Sequence, residues 1–162
     1  MGLIVVSGAL ANKPGQGGEA WVRLSYLLGL RRLGHQVHFI EQLVPSIPEA
    51  LRLLGGAVDL ARTELSAPAA CFRDVVKAFH LEGCATLLRT DGEGSADISP
   101  ELFEIVDAAD GLLNISGHLT IPSLFGRFRR RVFIDIDPGY TQFWHAAGIS
   151  RRARESSGGP RY

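Results

Sequence analysis

Leu3-Ile4-Val5-Val6-Ser7-Gly8, then Gly15-Gln16-Gly17-Gly18, then Glu19 through Leu33: these three consecutive stretches decide the fold. An apolar run, a glycine-studded turn and an amphipathic segment in that order predict strand, loop and helix, the phosphate-facing corner of an α/β domain. On the helix Ala20, Leu24, Leu27 and Leu28 share one apolar face, which sets Arg23, Arg31 and Arg32 largely off it. Gly34 supplies a left-handed cap.

The same alternation continues downstream. Val37-His38-Phe39-Ile40 reads as a second strand that stops at Glu41. Pro45, Pro48 and Pro68 bracket a loop whose one helix-like part is Glu49 to Leu54. Phe72, Val75, Val76 and Phe79 recur at helical spacing and Gly83 closes that helix. A third strand, Ala85 to Leu88, precedes the polar turn Asp91 to Ser95. Ser99 then caps a helix that has Pro100 at its first position and Leu102, Ile105, Val106 and Ala109 on its apolar face. A fourth strand (Gly111 to Ile115), the turn Ser116-Gly117-His118, a short amphipathic piece and a fifth strand (Arg131 to Ile136) follow. The expectation is an α/β, three-layer Rossmann-like domain over residues 1–149, with a parallel sheet of about five or more strands and helices on both faces.

Composition narrows the partners. Seventeen Lys plus Arg balance seventeen Asp plus Glu in 162 residues, so nothing electrostatic points to nucleic acid or an anionic membrane. No apolar run approaches the roughly 20 residues of a membrane span, and Met1-Gly2 leads into a strand instead of a signal peptide, so a cytoplasmic protein is expected. Cys71 and Cys84 form neither a disulfide framework nor a metal knuckle and read as small core residues.

In a parallel sheet every strand's C-terminal end opens on one edge, where ligands bind. Gly8, Glu41, Arg89, Ser116 to His118 and Asp137 lie at or just past strand ends and are expected to approach one crevice. Arg127, Arg129, Arg130 and Arg131 precede a strand and belong to a solvated surface at the other edge. Gly15 to Ala20 fits G-x-G-x-x-A, and Glu41 stands where a dinucleotide domain holds a ribose acid. Six residues separate Gly8 from Gly15, however, too many for the tight turn of that fingerprint. Either the glycines serve left-handed backbone angles, or Gly17 and Gly18 leave amides at a helix N-terminus to face a diphosphate. No Lys follows them, which excludes a Walker loop. Asp135 and Asp137 alternate on a strand, a pattern able to hold Mg²⁺ or Mn²⁺ in a metal-dependent transferase or phosphatase, or to hydrogen-bond the following turn through Asp137. His118, among small residues, is placed to accept a hydroxyl proton or donate to a phosphate. His145, on a helix, reads as packing.

Four segments together resemble the N-terminal half of bacterial GT-B-type glycosyltransferases. They are Val5 to Gly8 with Pro14 to Gly18, Leu28 to His35 with Val37 to Glu41, Asn114 to His118, and Asp135 to His145. The resemblance implies two Rossmann-like domains facing across a cleft, the N-terminal one holding an acceptor (a small molecule or glycan) and the other most of a nucleotide-sugar donor. It implies no metal and no bound cofactor, with the nucleotide sugar as co-substrate. It places Gly15, Gly17 and Gly18 near donor phosphates, with Glu41, Ser116, Gly117 and Asp137 as further ligand-edge residues and His118 as the catalytic candidate. After Ile149 the chain is polar and basic, so residues 150–162 are expected to be a disordered tail. No donor domain is expected on this chain. The expectation is an acceptor-side half, inactive alone, completed by a separate donor-domain chain or used as a nucleotide-binding or assembly module that self-associates.

Overall fold

Five strands, β1 (Leu3–Ser7), β2 (Gln36–Leu43), β3 (Ala85–Arg89), β4 (Gly111–Ile115) and β5 (Arg131–Ile134), lie in the order β3-β2-β1-β4-β5, and every neighbouring pair is parallel. The computed structural model describes residues 1–12, 17–44, 66–90 and 96–147. Within them the strands alternate with five helices: α1 (Gly17–Arg32), α2 (Ser66–Ala78), α3 (Pro100–Ala108), α4 (Pro122–Phe125) and α5 (Pro138–Ala146). The expected α/β Rossmann-like architecture is therefore present. Gly15, the segment Glu49 to Leu54, the turn Asp91 to Ser95 and the tail from residue 150 fall outside the described residues.

The two-residue period of each strand divides the core. Val5, Ile40, Leu88 and Leu112 meet Leu102, Val106 and Ala109 of the α3 region, together with Leu119, Ile121, Leu124 and Phe128. Their neighbours Val6, Phe39 and Ile115 point the other way, onto Leu24 and Leu27 of α1 and Phe72 of α2. Cys71 and Cys84 are half-buried against this second cluster, and burial raises the Cys71 thiol pKa further from reactivity. Local propensity alone does not start α1, because Gly17 and Gly18 are its first two residues. Burial of Leu24 and Leu27, worth about 1.5–3 kcal/mol each, holds the helix to the sheet. Gly34 follows it at φ +85, as its capping role requires. Ser99 Oγ accepts from the Leu102 amide at 3.3 Å and caps α3.

Several expectations are corrected. Arg23 is only 2% exposed; it lies on the buried side of α1, one turn from Leu27. β2 continues through Glu41 to Leu43, with Glu41, Gln42 and Leu43 in register with Leu87, Leu88 and Arg89. A carboxylate does not end a buried strand when amides are present to receive it. α2 begins at Ser66, ahead of Pro68, because a proline in the first turn removes an amide that has no intrahelical partner. β5 ends at Ile134, where Asp135 Oδ1 accepts from the Asp137 amide at 3.0 Å and turns the chain. It is thus Asp135, not Asp137, whose carboxylate holds that turn. His145 does not pack: α5 is exposed, with Tyr140 and Trp144 against each other at 6.0 Å between ring centroids.

The arginines before β5 are exposed as expected. Arg127 forms a two-point ion pair with Asp107 and lies over the Phe103 ring, while Arg131 lies 4.7 Å from the Phe125 ring centroid. Among the described residues no helix is long and apolar enough to cross a membrane.

Candidate functional site

From β1 the chain builds outward through β2 to β3, then returns to the other side of β1 for β4 and β5. The reversal falls between β1 and β4, so the crevice of this sheet opens at their C-terminal ends. Two loops meet there. One leaves β1 at Gly8, the other leaves β4 at Ser116.

The β1 loop is held from below by Glu41. Its side chain leaves β2 on the α1 side and is fully buried; Oε1 accepts from the amides of Ala11 (3.0 Å) and Asn12 (2.9 Å), and Oε2 from Ala11 (3.1 Å). Burial pushes the Glu41 pKa up, against the opposing pull of these amides and of the Arg23 charge. Arg23 reaches the same place from α1. Its Nη1 donates to Glu19 O at 2.9 Å, and Glu19 Oε2 lies 3.6 Å away. Burial lowers the guanidinium pKa, and Glu19 and Glu41 raise it.

Glycine at position 8 makes this arrangement possible. A Cβ there would stand 2.8 Å from Arg23 Cγ and 3.5 Å from Ile115 Cβ. We expect Gly8→Ala to destabilise the fold by about 1–3 kcal/mol, since the clash is with the root of a buried side chain and not its flexible end. Urea denaturation with an unchanged m-value checks this. Two buried polar atoms near Gly8 have no hydrogen-bond partner, Arg23 Nε on the α1 face of the sheet and Ser7 Oγ, by the alternation of β1, on the opposite face. The helix that carries Arg23 begins with Gly17 and Gly18, both exposed, with open space where a side chain would be. Neither takes a positive φ, so their use is not to permit left-handed backbone. Their amides belong to the unpaired first turn of a helix.

The β4 loop is tight. Ser116 (φ 55) and Gly117 (φ 69) are both left-handed, which for the serine costs about 1–2 kcal/mol. Buried Asn114 offsets that cost: its Nδ2 donates to Leu119 O at 3.1 Å while its Oδ1 accepts from the Leu119 amide at 3.0 Å. The next residue is fastened to β2, where Gln42 Oε1 accepts from the Thr120 amide (2.9 Å) and Gln42 Nε2 donates to Thr120 Oγ1 (3.0 Å). Half-buried His118 sits between the strained pair and these two clamps, with its amide donating to Ile115 O at 3.4 Å. The Phe133 ring closes the other side, 3.3 Å from where a Gly117 Cβ would lie.

The structure thus brings Gly8 beside Ile115, at the start of the Ser116-Gly117-His118 loop, while Gly17 and Gly18 open the helix whose Arg23 packs on Gly8. Glu41 is beneath the crevice, engaged with the chain's own amides. Arg89 ends β3, two strand spacings from β1, and Asp137 follows β5, one spacing from β4, at about 4.8 Å per spacing. Asp135 and Asp137 have no third ligand nearby: among the described residues no group of three His, Cys, Asp or Glu side chains comes together. Arg23, Asn114 and Gln42 are absent from the sequence-based expectation. For Arg23 the signal was present, since it stands four residues before Leu27 and three after Ala20. A polar residue in the apolar β4 run was the corresponding signal for Asn114.

No protein-family model, no curated protein and no solved structure matches this chain.

Proposed function

We propose that this chain is the acceptor-side half of a glycosyltransferase, working with a nucleotide-sugar donor that a second Rossmann-like unit presents to the β1/β4 crevice. The observation that carries this reading is the switch point at Gly8: Arg23 Nε, buried and without a partner, lies 3.5 Å from where a Gly8 Cβ would stand, on a helix that opens on two glycines. Helix amides and neighbouring donors suit the diphosphate of a nucleotide sugar, and no metal is required for that neutralisation. In an inverting transfer the acceptor oxygen bonds to the anomeric carbon while the bond to the diphosphate breaks. The hydroxyl proton passes to the His118 imidazole, and the nucleoside diphosphate leaves with the bonding electrons. In a retaining transfer His118 serves acceptor binding. A cytoplasmic location accords with a soluble donor.

Titration of the ¹⁵N-labelled chain with nucleotide sugars, nucleoside diphosphates and NAD tests the reading. The expected result is amide shifts at Gly8, Gly17, Gly18 and Ser116 to His118 with the diphosphates. Tight NAD binding, or shifts only at Asp135 and Asp137 on addition of Mn²⁺ or Mg²⁺, overturns it.

A further inference from the structure

Every described side chain of α5 is exposed. Three of them are large rings: Tyr140 at 61%, Phe143 at 77% and Trp144 at 52%. Positions i, i+3 and i+4 share one helical face, so the rings form a single stripe. Tyr140 and Trp144 lie 6.0 Å apart between centroids, and Gln142 and His145 fall on the other side of the helix. A helix of nine residues has little stability of its own in water, so this stripe needs a surface to lie on.

Area, chemistry and charge select that surface. Rings of about 150–250 Å² each, at these exposures, offer roughly 300–500 Å² per chain, against about 800 Å² per partner in a stable protein–protein contact. The stripe is too small for a second copy or a folded partner, whereas a bilayer takes up whatever apolar area reaches it. Tyr and Trp join an apolar body to a polar tip, the combination that the headgroup boundary of a membrane favours, and Phe143 between them adds a wholly apolar ring. The whole chain is neutral, but the run from Pro138 to Arg154 holds Arg151, Arg152 and Arg154 and no Asp or Glu. Seven residues of chain reach at most about 25 Å, so all three arginines are tethered close enough to the helix end to meet anionic headgroups beside the rings.

We propose that α5 is an interfacial anchor, whose Tyr140, Phe143 and Trp144 stripe seats in the headgroup boundary of an anionic lipid surface while Arg151, Arg152 and Arg154 meet the lipid charges. The helix lies on the bilayer and does not cross it, in keeping with its nine residues. It contributes no residue to the β1/β4 crevice, so the anchor and the glycosyltransferase reading stand or fall separately.

Co-flotation of the full chain with vesicles of phosphatidylcholine alone, and of phosphatidylcholine mixed with phosphatidylglycerol, tests it. Binding to the anionic vesicles is expected to be about tenfold or more the tighter, and to weaken as salt is raised. The double variant Phe143→Ser, Trp144→Ser is expected to lose about tenfold or more in affinity for the anionic vesicles. Its urea midpoint should not change, since neither ring is packed in the core. In a Trp21→Phe background Trp144 is the sole tryptophan. Its emission is expected to shift to the blue on the anionic vesicles and to be quenched by lipids brominated in the acyl chain. No binding to either vesicle, equal binding to both, full binding by the double variant, or Trp144 emission that does not move overturns the proposal. Self-association of the free chain that the double variant abolishes also overturns it, because a second copy then covers the stripe.

Discussion

Glu41→Ala is expected to lower the stability of the domain by about 3–5 kcal/mol, the largest loss from any single truncation at the site, because it removes one partner from a buried polar set. The amides of Ala11 and Asn12 lose their acceptor inside the protein, and Arg23 loses one of the two carboxylates that balance its buried charge. Arg23→Met is expected to cost less, about 1–2 kcal/mol, since methionine keeps the contact with Gly8 and Glu41 keeps its amides. Urea denaturation of both variants measures the contrast. Equal losses would show that the charge on Arg23, and not the loop amides, is what Glu41 serves.

The same carboxylate makes stability depend on pH in a direction that can be worked out. The folded-state pKa of Glu41 is raised by burial above its unfolded value of about 4.3. Its unfolded form therefore releases the proton first as pH rises, and the contribution to stability is complete below about pH 4.3. It is lost as pH climbs through the folded pKa. Compared with Glu41→Gln, whose side chain does not titrate, the wild type should hold its best relative stability at the acid end and lose ground above it. Urea midpoints for the two proteins from pH 4 to pH 8 check the sign.

His118→Ala, in this chain joined to a donor-binding domain, is expected to reduce turnover by about 10²- to 10⁴-fold if the transfer inverts the anomeric carbon. The fall should be in kcat. A retaining enzyme gives a different result. The variant then raises KM for the acceptor and leaves the pH profile of kcat alone, because no protein base takes part in the step. Turnover unchanged in both respects would end the catalytic assignment of His118. His118 is positioned along the loop by the left-handed backbone at Ser116 and Gly117 and by the Asn114 and Gln42 clamps.

The amino-acid sequence by itself determined the order and kind of the elements. Period-two and helical spacings, Gly34 at a helix end and Ser99-Pro100 at a helix start are short-range signals, and each acts within one element. From strands alternating with helices it also followed that Gly8 and Ser116 to His118 lie at one edge of the sheet. Only the tertiary structure decided how charge is distributed between the interior and that edge. The side of α1 that Arg23 takes depends on an absent Cβ at Gly8, fifteen residues away, and on Glu41 in another strand. Glu41 was legible as a residue near a strand end, yet its acceptor capacity is spent on Ala11 and Asn12, thirty positions back. The position of β5 at the end of the sheet is likewise a property of strand order. Pairings of this kind are set by which surfaces meet in space, and no local pattern in the chain encodes them.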